Sequence, residues 1–85
     1  MTEYRTLEIT VKEPRSSWPS RSYGELFKPD EKANYWLLGC PACGLIAFLN
    51  HEVTVTEGKA TIDPSVICPE CNAHYWVRDG KVQPC

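Results

Sequence analysis

The sequence predicts a small all-β fold, an antiparallel sheet stapled by a metal ion, and three observations predict it. Four of the five cysteines fall in two copies of one phrase, Cys40-Pro-Ala-Cys43 and Cys68-Pro-Glu-Cys71. Short runs alternating apolar and polar residues recur at residues 4–12, 53–56 and 74–78, the period of half-buried strands. The chain of 85 residues makes one domain whose hydrophobic core alone is marginal, so a metal, disulfides or a partner must reinforce it.

The elements follow in order. Residues 1–12 carry an N-terminal strand, with Leu7, Ile9 and Val11 on one face and Thr6, Glu8, Thr10 and Lys12 on the other. Residues 13–34 lose periodicity. Pro14, Pro19, Gly24 and Pro29 punctuate them, which predicts a long irregular loop with a helical turn near Tyr23–Phe27. Trp18, Tyr23 and Phe27 are more than a solvated linker needs; they either fold back over the core or form a partner-binding segment.

Residues 35–85 read as one four-cysteine domain. Tyr35–Leu38 enters the first cysteine pair and Leu45–Leu49 leaves it. Val53–Thr56 and Ala60–Ile62 flank a turn at Glu57-Gly58-Lys59, and Asp63-Pro64-Ser65 turns again before Val66-Ile67. His74–Arg78 and Lys81–Gln83 flank Asp79-Gly80, a type I′ hairpin signal.

The cysteine pairs, separated by a spacer of 24 residues, form a four-thiolate ligand set. A tight turn between cysteines three apart places both sulfurs on one side, and two such turns complete a tetrahedron. Pro41 and Pro69 pre-set φ for the turn. Gly44 and Asn72 follow the second cysteine of each copy, and these residue types tolerate positive φ best. Zinc is the default ion, one per chain, with iron the alternative. A shell closed by four sulfurs leaves no open position, so the site is structural and its binding energy becomes folding energy.

Composition narrows the function classes. The net charge is −2, and four thiolates around one divalent cation take it to about −4. This disfavours a nucleic-acid binder that works by neutralising phosphate. The start of the chain shows no apolar leader, and the longest apolar run, Leu45–Leu49, is strand-sized, so no membrane association is expected. Reduced thiols imply the cytoplasm, which is the host cytoplasm for a phage-encoded protein.

No nucleophile–base–acid set is apparent, since the serines cluster within residues 13–34 without a motif, and the expectation is no enzyme. His51 reads as a lone surface histidine. His74, three residues after Cys71, reads as a group packed beside the second metal turn. Cys85 reads as an exposed free thiol. Alternation puts Tyr75 and Val77 on one face, and His74, Trp76 and Arg78 on the other. Trp18, Tyr23, His74, Trp76 and Arg78 are therefore the candidate binding residues, of types enriched at protein interfaces and able to stack on bases.

The paired cysteine turns resemble the zinc ribbon, which implies an antiparallel sheet with two metal-binding knuckles. Residues 36–83 resemble an uncharacterised family of small bacterial and phage proteins ending in a His-Tyr-Trp-x-Arg-x-Gly-x-Val hairpin. The matching positions are Pro64, Ser65, His74, Tyr75, Trp76, Arg78, Gly80 and Val82. That resemblance implies an accessory protein of phage or mobile-element gene clusters, some of them near ubiquitin-like conjugation genes. The complete second Cys-Pro-x-Cys turn departs from its pattern. Rubredoxin is similar in pairing the two turns, and implies iron and electron transfer. The expected function is a non-enzymatic protein-interaction module with an unidentified protein partner. The alternatives are a single-stranded nucleic-acid-binding ribbon and an iron electron carrier.

Overall fold

The computed structural model describes residues 2–85. Its eight strands are β1 (Thr10–Val11), β2 (Glu25–Phe27), β3 (Trp36–Gly39), β4 (Ile46–Leu49), β5 (Glu52–Thr56), β6 (Lys59–Ile67), β7 (His74–Arg78) and β8 (Lys81–Pro84). They form two four-stranded sheets, ordered β1-β2-β3-β4 and β5-β6-β7-β8. All strand pairs are antiparallel except β1 with β2. The all-β expectation holds, and the described residues contain no helix, hence none long and apolar enough to cross a membrane.

Alternation builds the core between the sheets. Ala60 and Ile62 of β6, Tyr75 and Val77 of β7 and Val82 of β8 point inward to meet Leu26, Leu38 and Leu49. Tyr75, Val77, Ile62 and Leu26 are among the largest fully buried side chains. Burying an aliphatic side chain of this size contributes about 1.5–3 kcal/mol. The β7 alternation read from the sequence is therefore the observed one, with His74, Trp76 and Arg78 outward.

Two expectations in the N-terminal part need correction. The segment at 4–12 is not a continuous strand. Ile9 N–H donates to the Gly80 carbonyl and Val82 N–H to that of Leu7 (2.8 Å each), whereas Thr10 N–H donates to Gly24 (2.8 Å). The chain changes sheets between Ile9 and Thr10, so Ile9 is buried while Leu7 is 52% exposed. The helical turn near Tyr23–Phe27 is instead β2, because Leu26 and Phe27 find β3 alongside, with Leu26 opposite Leu38 and Phe27 opposite Leu37.

The segment 13–34 does fold back. The Trp18 ring packs 5.4 Å from that of Phe27 and the Arg15 guanidinium lies 4.2 Å above the same ring. These groups cover Phe27 and so make a buried position of an otherwise open sheet face. Gly39 lies where β3 passes the backbone of Ser22, and a Cβ there would stand 1.9 Å from the Ser22 carbonyl oxygen.

Candidate functional site

The four cysteines come together, one pair from each sheet. Cys40 and Cys43 lie in the β3–β4 connection, Cys68 and Cys71 in the β6–β7 connection. All four Sγ atoms lie within 4.8 Å of one another, with Cys40–Cys71 at 3.8 Å and Cys43–Cys68 at 3.6 Å. A tetrahedron with about 2.3 Å metal–sulfur bonds has edges of about 3.8 Å, so the donor set fits one metal ion.

The two turns are built alike. Gly44 N–H donates to the Cys40 carbonyl and Cys40 N–H to that of Leu45; Asn72 N–H donates to Cys68 and Cys68 N–H to Ala73, all at 2.9 Å. Both turn residues take positive φ, 85° at Gly44 and 61° at Asn72, as their types predict. Burial pushes the Cys40 and Cys43 thiols up from their ordinary value, and a bound cation would supply the charge that lets four thiolates coexist.

The second turn is flanked by a further pair of residues. Ser65 stands three residues before Cys68, and His74 three after Cys71. Their side chains meet, Ser65 Oγ lying 2.8 Å from His74 Nε2. Strand register explains the meeting. Ile62 is opposite Val77 and Val66 opposite Tyr75, so four residues of β6 advance against two of β7. This bulge re-aims the intervening residues, and Ser65 and His74 both face outward.

The neighbours hold this arrangement. Arg78 stacks 4.5 Å over Trp76 and reaches the Asp63 carboxylate at 3.4 Å and the Ile62 carbonyl at 3.5 Å, tying the bulge to β7. From the other side, His51 Nε2 donates to the Ser65 carbonyl at 2.9 Å. A carbonyl only accepts, so Nε2 of His51 carries the proton. The His74 carbonyl accepts from Cys85 N–H at 2.9 Å and from the Tyr4 hydroxyl at 3.3 Å.

An apolar cleft of about 250 Å³ opens between the sheets next to the cysteine cluster, lined among others by Cys40, Phe48, His51, Val66, Cys68 and Tyr75; Ser65 and His74 do not line it. Phe48 and Ile67 stand at its rim, 70% and 60% exposed.

Of the expected binding residues, His74, Trp76 and Arg78 share the face that carries Ser65. Trp18 and Tyr23 stand elsewhere, Trp18 against Phe27 and Tyr23 beneath the Arg5 guanidinium at 4.8 Å. The His74 ring hydrogen-bonds beside the second metal turn, and its partner there is Ser65. His51 is not a lone surface residue. Ser65, noted only among the positions that carry the family resemblance, was not read as a site residue, because the bulge that aims it leaves no mark in the alternation. The signal that could have found it is Pro64-Ser65, standing outside the serine-rich segment and nine residues from a histidine. Cys85 is exposed, as expected.

Comparisons with curated proteins and with solved structures return no match. A family model, BubE, described as "Bacterial ubiquitination-like system serine protease", matches residues 10–85. That description overturns the expectation of a non-enzymatic chain, which rested on finding no nucleophile beside a base. The match takes in both cysteine turns, the bulge and the Ser65–His74 pair. The chain belongs to the BubE family.

Proposed function

We propose that the chain is a serine protease of a bacterial ubiquitination-like system, with Ser65 as nucleophile and His74 as general base. The observation that carries the reading is the 2.8 Å contact between Ser65 Oγ and His74 Nε2, the reach that a base needs to take a hydroxyl proton.

The reaction follows from that geometry. In the reactive tautomer His74 carries its proton on Nδ1, and Nε2 accepts the hydroxyl proton as Ser65 Oγ bonds to the scissile carbonyl carbon. The tetrahedral intermediate collapses as His74 returns the proton to the departing amine, the C–N bond breaks, and an ester to Ser65 remains. Water, deprotonated by His74, then attacks the ester; the acid product leaves and the proton goes back to Ser65. Among the described residues the His74 ring hydrogen-bonds to Ser65 alone, so this is a dyad. Its orientation comes from the strand backbone and from the Arg78 clasp on the bulge.

The protein partner is, in this reading, the substrate. The metal is zinc, held by Cys40, Cys43, Cys68 and Cys71; it supplies structure and no step of the reaction, since four sulfurs close its shell. The chain works in the cytoplasm, where its thiols remain ligands. Elemental analysis of purified protein checks the metal: one zinc and no visible absorption is expected, whereas thiolate-to-iron bands would reject zinc.

The test of the dyad is p-nitrophenyl acetate hydrolysis followed by mass spectrometry of the trapped enzyme. Acetylation at Ser65, lost in Ser65→Ala and slowed in His74→Gln, is the expected result. Equal turnover by wild type and Ser65→Ala would reject it.

A further inference from the structure

We infer that His51 is a positioning residue for the nucleophile: its ring, donating to the Ser65 carbonyl, fixes the peptide that aims Oγ at His74. The inference rests on the dyad reading and adds to it a second histidine, one that takes no part in the proton transfer.

Strand register leaves Ser65 without a backbone partner. β5 pairs with β6 only as far as Asp63, opposite Glu52, and β7 rejoins β6 at Val66, opposite Tyr75. Pro64 and Ser65 fall between, in register with neither strand. A half-buried carbonyl in that position needs a donor from elsewhere. His51 supplies it, with Nε2 2.9 Å from the Ser65 oxygen. A side chain thus takes over where the ladder of β5 stops.

The path of the chain holds that ring in place. Asn50 and His51 are the whole connection between β4 of one sheet and β5 of the other, so a strand anchors the link at each end. The other ring nitrogen, Nδ1, is buried without a hydrogen-bond partner, and Phe48, Leu49 and Val66 line the same cleft as the ring. Among the described residues the Ser65 carbonyl is the hydrogen-bond partner of the ring, and it sets how the ring is turned.

Two side chains therefore clasp the bulge. Arg78 reaches the Ile62 carbonyl and the Asp63 carboxylate at its start, and His51 reaches the Ser65 carbonyl at its end. The peptide that carries this carbonyl begins at the Ser65 Cα. A carbonyl free to turn lets Cβ and Oγ turn with it, away from the 2.8 Å contact with His74 Nε2. A misplacement of about 1 Å at a reacting group costs about 10²-fold in rate.

The experiment follows acylation of Ser65 by p-nitrophenyl acetate across pH in the metal-loaded full chain, with melting temperatures measured beside it. His51→Leu removes the donor and keeps the bulk. His51→Asn keeps a donor that stops short of the carbonyl, and His51→Gln carries one at the reach of Nε2. Leu and Asn should each lower the plateau rate about 10–100-fold, with KM, the pH midpoint and the melting temperature near those of wild type. Gln should keep the greater part of the rate, and the Asn–Gln pair decides the matter if Leu disturbs the fold. Wild-type rates in Leu and Asn, or a Gln variant as slow as Asn, overturn the positioning role and leave the dyad in place. A pH midpoint that vanishes in His51→Asn and persists in His74→Gln makes His51 the base and overturns both. If Ser65→Ala hydrolyses the ester like wild type, the dyad reading fails and the positioning role with it.

Discussion

Removal of the metal should abolish the fold and the dyad together. The metal turns link the sheets, Cys40 and Cys43 from one and Cys68 and Cys71 from the other, and the second turn sets where β6 ends and β7 begins. Ser65 and His74 flank that turn at three residues on either side, so losing it frees the two strand ends that bring Oγ and Nε2 to 2.8 Å. A domain of 85 residues has a total stability of roughly 4–13 kcal/mol. Binding of a structural zinc by four deprotonated ligands contributes about 10–16 kcal/mol. The metal term is as large as the whole, so the apo chain should not hold two sheets. The assay is titration with a strong chelator, following circular dichroism and p-nitrophenyl acetate turnover in the same sample. Both signals should fall with one midpoint and return with added zinc. A chelated, metal-free chain that kept its β signal and its Ser65 reactivity would refute the reasoning. Cys68→Ser should behave as the chelated protein does, since Cys68 is 4% exposed and its sulfur completes the four-cysteine cluster.

Other outcomes follow from single residues. His74→Gln should cost about 10²–10⁴-fold in the acylation rate with the melting temperature nearly unchanged, because His74 is exposed; the paired kinetic and thermal measurements separate the two effects. Arg78→Lys cannot hold Asp63 and stack on Trp76 together, so the rate should fall several-fold with metal content unaltered by elemental analysis. Gly39→Ala would place its Cβ 1.9 Å from the Ser22 carbonyl, and β2 or β3 must shift; denaturant unfolding should show a loss of about 1–3 kcal/mol. Glu25 accepts from the Ser22 hydroxyl and then from Arg15, with Lys12 nearby, and these partners hold its carboxyl below the ordinary 4.5. Its contribution is therefore complete above that value and is lost as pH falls through the lowered one. Glu25→Gln should cost about 1 kcal/mol at neutral pH and converge with wild type in acid, as read by urea midpoints across pH.

The four-cysteine cluster was legible because its geometry is local. A ligand pair three residues apart, a proline to set the turn and a residue tolerant of positive φ all lie within one short phrase, and the phrase occurs twice. The inward Tyr75 and Val77 were legible for the same reason, since alternation along one strand fixes its faces. β2 was not, because Glu25–Phe27 is too short to show a period and becomes a strand only when Leu26 and Phe27 lie against β3. The segment at 4–12 has the right period but serves two sheets in turn, and only their spatial arrangement decides where it switches.

The sequence by itself determined the all-β class, the four cysteines that cluster as a set able to hold a metal, the geometry of both turns and the outward face of β7. Those depend on contacts between residues a few positions apart. Tertiary structure alone decided which serine meets which histidine. The bulge between Ile62 and Val66 shifts the register of β6 against β7, and in a sheet a small shift changes which side chains are neighbours. The cleft, too, exists only where β5 leaves β6 and the two sheets diverge. Ser65 and His74 meet only through that register, while the repeated cysteine phrase supplies the turn between them.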